Sequence, residues 1–306
     1  LLMRLGRSSE AVESLAPIIN SGTRRRVDVE LLRVAEAARA LGRFREANEF
    51  FRRAAAVTPQ DPAINTAWGE LFLEKYNMQD AVRSFQSALN ADPKWVPAHV
   101  GLARALVSEN PSDAAEMARH AIDLDESSEA AHLLLAELAL DERRYDDASL
   151  MTEQALSINA NSFEARSLRA AIAYIEDRID EFEAEVTGVL ALNPRYGEIY
   201  RVTGAQAASH YRFDEAVALV RKALDLSPGS PLAQADLGMH LLRTGDEVGA
   251  RENLDQSFEA DPFNIITFNL LRMLDAVDEF ETIRKGNLVV RLHPDEFPVM
   301  GDYVVS

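Results

Sequence analysis

The chain has 306 residues, 47% of them hydrophobic, and its formal net charge is −18 at pH 7. An acidic balance of this size argues against nucleic acid or an anionic membrane as the main partner. Because the chain has no cysteine, disulfides, thiolate metal sites and a cysteine nucleophile are excluded.

The charge is unevenly distributed, with 11 arginines and 7 acidic residues in residues 1–60. This has two interpretations: local variation on a solvated surface, or a basic end, with Arg24, Arg25 and Arg26 in one loop, that docks an acidic partner. No apolar run approaches the roughly 20 residues of a membrane span. We therefore expect a soluble protein without membrane insertion, with the cytoplasm favoured and the periplasm as the alternative. The amphipathic pattern already runs at Leu1, so we expect the natural start to lie upstream.

A frame of spaced residues recurs along the chain. In its clearest copy a small residue, Ala81, is followed by Phe85, by Ala88 and finally by Pro93. The first position of the frame falls on Ala11, Ala47, Ala81, Ala114, Ala148, Phe182, Ala216 and Ala250. Most successive copies are 34 residues apart. A fixed period of this length indicates a stack of repeated helical units.

A second motif precedes the frame in most units: a large residue, a small residue and, three positions later, an apolar residue. Trp68-Gly69 with Phe72 is one example. These positions resemble the L-G-x-x-Y portion of the tetratricopeptide repeat, and the resemblance extends over residues 1–277. It implies an all-α fold, a right-handed superhelical solenoid of helix hairpins, followed by a short extended or β C-terminal tail.

Each predicted unit is a pair of amphipathic helices, A and B, that cross at the small residues. Proline after the last residue of helix B, as at Asp92-Pro93, ends the unit. Phe182 replaces a small residue, and we expect a modest change of helix tilt there. The predicted boundaries are a truncated first unit at 1–27, seven repeats at 28–61, 62–94, 95–128, 129–162, 163–196, 197–230 and 231–262, an orphan capping helix at 263–278, and a linker and strand at 279–306.

The tail has a different character. Residues 287–294 are rich in β-branched side chains and closed by a proline, which predicts a strand. We expect this single strand to lead into a further domain beyond the chain. The stretch from Leu288 to Tyr303 resembles the junction to a peptidase-MA-like, zinc-dependent gluzincin domain, although the H-E-x-x-H of that family is not present here.

The sequence has few motifs that indicate catalysis or the binding of a metal or cofactor. None of the six histidines has a short metal-ligand spacing, and neither a glycine-rich phosphate loop nor a G-x-S-x-G motif occurs. Paired acids such as Asp214-Glu215 precede helix B, where carboxylates favour the helix N-terminus. We therefore predict no catalytic residue, no metal, no cofactor and no enzyme activity in this chain.

The resemblance implies that helix A lines a concave groove through its positions 2, 5, 9 and 12. The lysine and asparagine of the carboxylate-clamp members are not found in this frame. The candidate partner-binding residues are Glu36, Arg39, Glu70, Leu73, Arg104, Val107, Glu137, Leu140, Tyr174, Arg201, Met239 and Leu242. The apolar members have two interpretations, packing between helices or contact with a partner.

The leading hypothesis is a protein–protein interaction scaffold that binds a peptide or protein segment with some basic character in the groove. An alternative is the substrate-recruiting arm of a larger bacterial zinc metallopeptidase whose catalytic domain is not in this chain. A second alternative is a self-assembling scaffold. An excess of Arg over Lys, 28 to 4, favours a bacterial, GC-rich source.

Overall fold

A computed structural model of the protein describes residues 2–21 and 28–304. The predicted basic loop with Arg24, Arg25 and Arg26 lies outside the described residues. In chain order the elements are α1 (Ser8–Ser21), α2 (Asp28–Ala40), α3 (Phe44–Val57), α4 (Pro62–Glu74), α5 (Met78–Ala91), α6 (Val96–Leu106), α7 (Pro111–Leu124), α8 (Glu129–Asp141), α9 (Tyr145–Ile158), α10 (Phe163–Ile175), α11 (Ile179–Leu192), α12 (Glu198–Ser209), α13 (Phe213–Leu226), α14 (Pro231–Thr244), α15 (Glu247–Ala260), α16 (Ile265–Asp278), β1 (Glu281–Lys285), β2 (Leu288–Leu292) and α17 (Phe297–Val304).

The chain divides into two compact units. Unit 1, Leu1–Pro228, contains α1 to α13, and unit 2, Gly229–Ser306, contains α14 to α17 with both strands. In unit 1 each even-numbered helix from α2 to α12 packs closely against the odd-numbered helix that follows it. We call the first helix of such a pair helix A and the second helix B. The repeated hairpins confirm the predicted all-α repeat fold.

Small residues set the distance between the two helices of a hairpin. The ring of Phe85 on α5 is buried between Gly69 of α4 and Gly101 of α6. A Cβ added at Gly69 would lie 2.7 Å from Cε1 of Phe85, and one at Gly101 would overlap the same ring. The glycines therefore provide the space into which the aromatic ring packs.

The A–B turns repeat at the level of the backbone. Tyr76, Arg143, Asp177 and Tyr211 occupy equivalent turn positions with φ between 57° and 63°, in the left-handed region. Gly42 occupies the same position in the first full hairpin, with φ 70°. Because side chains disfavour this conformation, its recurrence shows that hairpin packing, rather than local preference, determines the turn.

Proline is not required to end helix B. The α7 and α9 helices stop at Leu124 and Ile158, although no proline follows. Instead the side chain of Asp125 accepts a hydrogen bond from the backbone N–H of Ser127 at 3.0 Å. Asn159 accepts one in the same way from Asn161 at 3.1 Å. These side chains stabilise a turn where the sequence lacks the proline signal.

Phe182 changes the helix arrangement around α11. Its buried ring lies between Tyr174 of α10 and Tyr200 of α12, with centroid distances of 5.1 and 6.1 Å. Of the elements before it, α12 packs mainly on helix A of the previous hairpin, α10, whereas each preceding helix A packs more on the previous helix B than on the previous helix A. A large side chain at the position of a small one thus accompanies a closer approach of two A helices.

Unit 2 begins with the hairpin of α14 and α15, followed by α16. The predicted strand is present as β2, but the expectation of a single unpaired strand is wrong. It pairs antiparallel with β1 through a turn at Gly286, whose φ is +59°. The short helix α17 was not predicted. Among the described residues, no helix is both long and apolar enough to cross a membrane.

The contact between Gly69 and Phe85 leads to a stability prediction. We expect Gly69→Leu to lower the midpoint of the thermal loss of helical circular dichroism, because the new side chain overlaps the buried ring at a cost of about 1–3 kcal/mol. Gly229→Leu is the matched control, since that glycine is exposed and a Cβ there meets nothing within 4 Å. A Gly69→Leu protein that melts like the control would contradict the packing described here.

Candidate functional site

The candidate groove residues of unit 1 lie on helices A and differ in exposure. Glu36, Arg104 and Glu137 are exposed; Arg39, Glu70, Leu73, Val107, Tyr174 and Arg201 are half-buried; and Leu140 is buried. Four of them, Glu36, Glu70, Arg104 and Glu137, occupy position 9 of α2, α4, α6 and α8, and we call these four residues the position-9 row. The row contains three acids and one arginine, so it is acidic.

Ion pairs connect the helices across this row. Glu70 lies between two arginines: its Oε2 is 3.1 Å from Nη1 of Arg104 and 3.7 Å from Nη2 of Arg39. Arg39 also contacts Glu74 at 2.5 Å. The side chain of Arg104 is 51% exposed. An ion pair with so exposed a guanidinium contributes only about 0–1 kcal/mol, so Arg104 can exchange its protein partner for a ligand partner at low cost.

The two acids at the ends of the row lack such a partner. In the described part of the chain neither Glu36 nor Glu137 forms an ion pair. Burial raises the pKa of the Glu36 carboxyl, with Arg39 and Arg33 opposing the shift. The row therefore ends in carboxylates that a cation from outside would stabilise.

Glu137 has the more crowded surroundings. Water reaches its side chain, but protein surrounds the carboxyl on most sides. This desolvation raises its pKa, and nearby Asp141 and Glu164 raise it further, whereas Arg104 and Arg201 oppose the shift. A cation placed beside the ionised carboxylate would offset this desolvation cost.

Leu140 is not a groove residue. It is 1% exposed and packs in a core cluster with Leu168 and Ile172 of α10. Its assignment to partner binding is therefore wrong. The helical period places it on the same side of α8 as Glu137, but the neighbouring α10 covers it.

The remaining apolar candidates are used mainly for packing. Leu73 and Val107 each pack against a core cluster while staying half-buried. The hydroxyl of Tyr174 donates a hydrogen bond to Glu215 at 2.6 Å, and the guanidinium of Arg212 lies 4.8 Å from its ring centre. Burial and this carboxylate raise the pKa of Tyr174 to about 12, so the hydroxyl stays protonated.

Arg201, Met239 and Leu242 complete the set. Arg201 is held by Glu198, with 2.9 Å between Nε and Oε1. Met239 and Leu242 are half-buried on α14 in unit 2. They therefore belong to unit 2 and not to the position-9 row or its surroundings in unit 1.

Sequence reasoning missed two polar residues near the groove, Glu164 and Asn193. Glu164 occupies position 2 of α10, a position that the repeat frame assigns to the groove, so the frame could have identified it. Asn193 is the residue after α11 and is only 5% exposed. Nothing in its local sequence distinguishes it from a turn asparagine.

Catalytic or metal chemistry has little support in the geometry. The described residues contain no group of three or more His, Asp or Glu side chains placed to hold a metal ion. His240 of α14 is buried, and burial lowers its pKa, so the ring is held in its neutral form.

The burial of Leu140 gives a stability prediction. We expect Leu140→Ala to lower the free energy of unfolding by about 2–5 kcal/mol, because it leaves a cavity between α8 and α10. Leu150→Ala on α9 is the matched control: this leucine is 50% exposed, and its truncation should change stability by about 0.5 kcal/mol or less. Urea denaturation measures both. Equal effects of the two substitutions would place Leu140 on the surface.

The environment of Glu137 predicts a pH dependence. A carboxyl whose folded pKa is raised destabilises the folded state as pH rises from its unfolded pKa to its folded pKa. Glu137→Gln should therefore raise the melting temperature at pH 8 and have little effect near pH 4, where both states hold the proton. Glu116→Gln, at an exposed site on α7, controls for the lost charge. A gain of equal size at both pH values would contradict the prediction.

Protein-family models with the description tetratricopeptide repeat match residues 32–94, 108–172 and 207–272. These ranges cover more than half of the chain. No curated protein is significantly similar to it in sequence. Repeats of this family typically form non-catalytic scaffolds, and neither matched model is that of an enzyme.

Three solved structures with similar folds illustrate the likeness. The chain is similar to the APC/C hetero-tetramer Cut9–Hcn1, with a TM-score of 0.53 and 16% identity over 80% of this chain and 48% of that chain. It is similar to a tetratricopeptide repeat protein from Parabacteroides merdae, with a TM-score of 0.53 and 17% identity over 81% of this chain and 98% of that chain. It is also similar to yeast Tom70, with a TM-score of 0.51 and 14% identity over 79% of this chain and 52% of that chain.

The chain thus spans about half the length of the Cut9–Hcn1 and Tom70 chains that it matches. At these identities the likeness shows the fold alone. The family match, the recurring hairpins and the glycine-lined helix crossings agree with one another, and they support a protein-interaction scaffold. This chain belongs to the tetratricopeptide repeat family.

Proposed function

We propose that unit 1 binds a protein segment with basic character along the surface of helices A that carries the position-9 row. The observation that supports this most directly is the acidic row itself, which occupies equivalent positions on four successive helices A, α2, α4, α6 and α8. Two of its carboxylates, Glu36 and Glu137, have raised pKa values and no ion-pair partner among the described residues. A lysine or arginine of a bound segment would supply the missing positive charge.

The ion pairs in the middle of the row favour an extended partner with mixed charge. Glu70 already has two arginines, and the half-exposed Arg104 leaves donors free for an acceptor on the ligand. A segment that crosses the helices would therefore meet carboxylates at both ends of the row and a guanidinium near its middle. The half-buried Leu73 and Val107 add limited apolar contact one turn further along the same helices.

Charge reversal at the two ends of the row tests this proposal. The full chain, immobilised, captures candidate partners, and synthetic peptides from the captured proteins are then titrated by fluorescence anisotropy. We expect Glu36→Lys with Glu137→Lys to weaken the binding of basic peptides at least tenfold, a change of about 1.4 kcal/mol. The physical reason is that both carboxylates become repulsive toward the ligand.

The matched control reverses two exposed acids on helices B, Glu116→Lys on α7 with Glu153→Lys on α9. It changes the net charge by the same amount, so it measures long-range electrostatics alone. Affinity within about twofold of the unmodified chain is expected for the control. Equal losses in both double variants would show that net charge, rather than the position-9 row, determines binding, and the proposal would fail.

A further inference from the structure

The described chain begins with residues 2–7, here called the Arg4 segment, which contacts a distant part of unit 1. Nη2 of Arg4 lies 3.2 Å from Oε1 of Glu164 on α10. The side-chain Nδ2 of Asn193 donates a hydrogen bond of 2.7 Å to the backbone carbonyl of Arg4, 189 residues away in sequence. One contact thus holds the arginine side chain, and the other holds the main chain beside it.

Asn193 is positioned to form a hydrogen bond with the backbone of the Arg4 segment. It is 5% exposed, and its Oδ1 accepts a hydrogen bond of 2.9 Å from the N–H of Arg195. This bond fixes the amide, so that Nδ2 points to the carbonyl of the segment. Gly6 passes so close that an added Cβ would overlap Oδ1 of Asn193, and its φ of +71° lies in the left-handed region. When the segment is bound to Asn193 in this way, the second residue after the arginine must be glycine.

Arg4 contacts only one of the two carboxylate oxygens of Glu164. Its Oε1 faces the guanidinium, whereas its Oε2 is excluded from solvent and has no hydrogen-bond partner among the described residues. A buried acceptor without a donor is unfavourable. A guanidinium that binds both oxygens in the bidentate geometry would satisfy the carboxylate completely.

The Arg4 contact is also exposed. The Arg4 side chain is 63% accessible and that of Glu164 is 43% accessible, so the pair adds little stability. Close to this pair, burial raises the pKa of the Tyr196 hydroxyl. Glu164 and Glu198 raise this pKa further, whereas Arg4 lowers it. The site is thus acidic, and its present occupant is held weakly enough to be replaced.

We propose that Glu164 and Asn193 form a docking site for a partner segment that carries an arginine two residues before a glycine, and that the Arg4 segment occupies this site until such a partner displaces it. The inference rests on the proposed function, because it names the kind of segment bound at one end of the same groove. The Arg4 segment serves as an internal copy of the ligand. It lowers the apparent affinity of the site by competing from within the chain.

A labelled peptide with the sequence of residues 2–7, LMRLGR, tests the site in the full chain by fluorescence anisotropy. We expect Arg4→Ala, which weakens the internal competitor, to bind the peptide about two- to fivefold more tightly than the unmodified chain, because the exposed ion pair that it removes is weak. Gly6→Val, which overlaps Asn193, should produce the same gain by a different route. Adding Glu164→Gln to Arg4→Ala should reverse the gain, and a peptide with lysine in place of its arginine should bind at least fivefold more weakly.

Equal binding by the unmodified chain and by both release variants would overturn the inference, as would binding that Glu164→Gln leaves unchanged. Circular dichroism confirms that each variant keeps its helix content. Failure here is distinguishable from failure of the proposed function. If the peptide does not bind while basic partners still depend on Glu36 and Glu137, only the docking site is rejected.

Discussion

The close approach of helices at small residues is the constraint on which the structure depends. The ring of Phe85 fits between α4 and α6 only because Gly69 and Gly101 have no side chain. Successive hairpins consequently stack on one another, and equivalent positions of successive helices A become neighbours. The position-9 row follows from this regularity, because residues one repeat apart in sequence come within ion-pair distance in space.

The array is least regular around α11, where Phe182 takes the place of a small residue. Its ring fills the space between α10 and α12, and these helices pack directly on each other. Contacts that skip a hairpin accompany this arrangement: Gln206 of α12 donates a hydrogen bond to Asp141 of α8 at 3.2 Å. Glu164 and Asn193, which hold the Arg4 segment, lie in the same region.

The electrostatics of the groove arise from burial as much as from charge count. A net charge of −18 makes acids common everywhere on the chain. Acids on exposed helix faces are solvated, and some pair with an arginine three residues away, as in the pair of Arg52 and Glu49 on α3. Glu137 and Glu36 instead lie where protein displaces water, so their ionisation is unfavourable. An acidic groove is therefore a better cation site than an equally acidic outer surface.

The repeat period, the helices and most of their ends could be predicted from the sequence because they depend on local patterns. The spacing of small residues and the X-Pro steps are typical of hairpins that begin and end where α4 and α5 do. The candidate groove positions came from the resemblance to the repeat family, and one of them, Glu137, is exposed. The tail was predicted less well, since the pairing of β1 with β2 joins segments whose individual signals are weak.

Tertiary structure decided what a periodic pattern cannot encode, namely which positions a neighbouring helix covers. Val107 and Leu140 share position 12 of the repeat frame, yet Val107 is half-buried just after α6, whereas Leu140 lies in the core against α10. Burial depends on the distance to the next helix, and that distance changes with single residues such as Phe182. The contact between Arg4 and Glu164 likewise joins residues far apart in the chain. The sequence by itself determined the repeat and its acidic row. Only the folded unit determined which acids lack ion-pair partners among the described residues and which side chains hold the Arg4 segment.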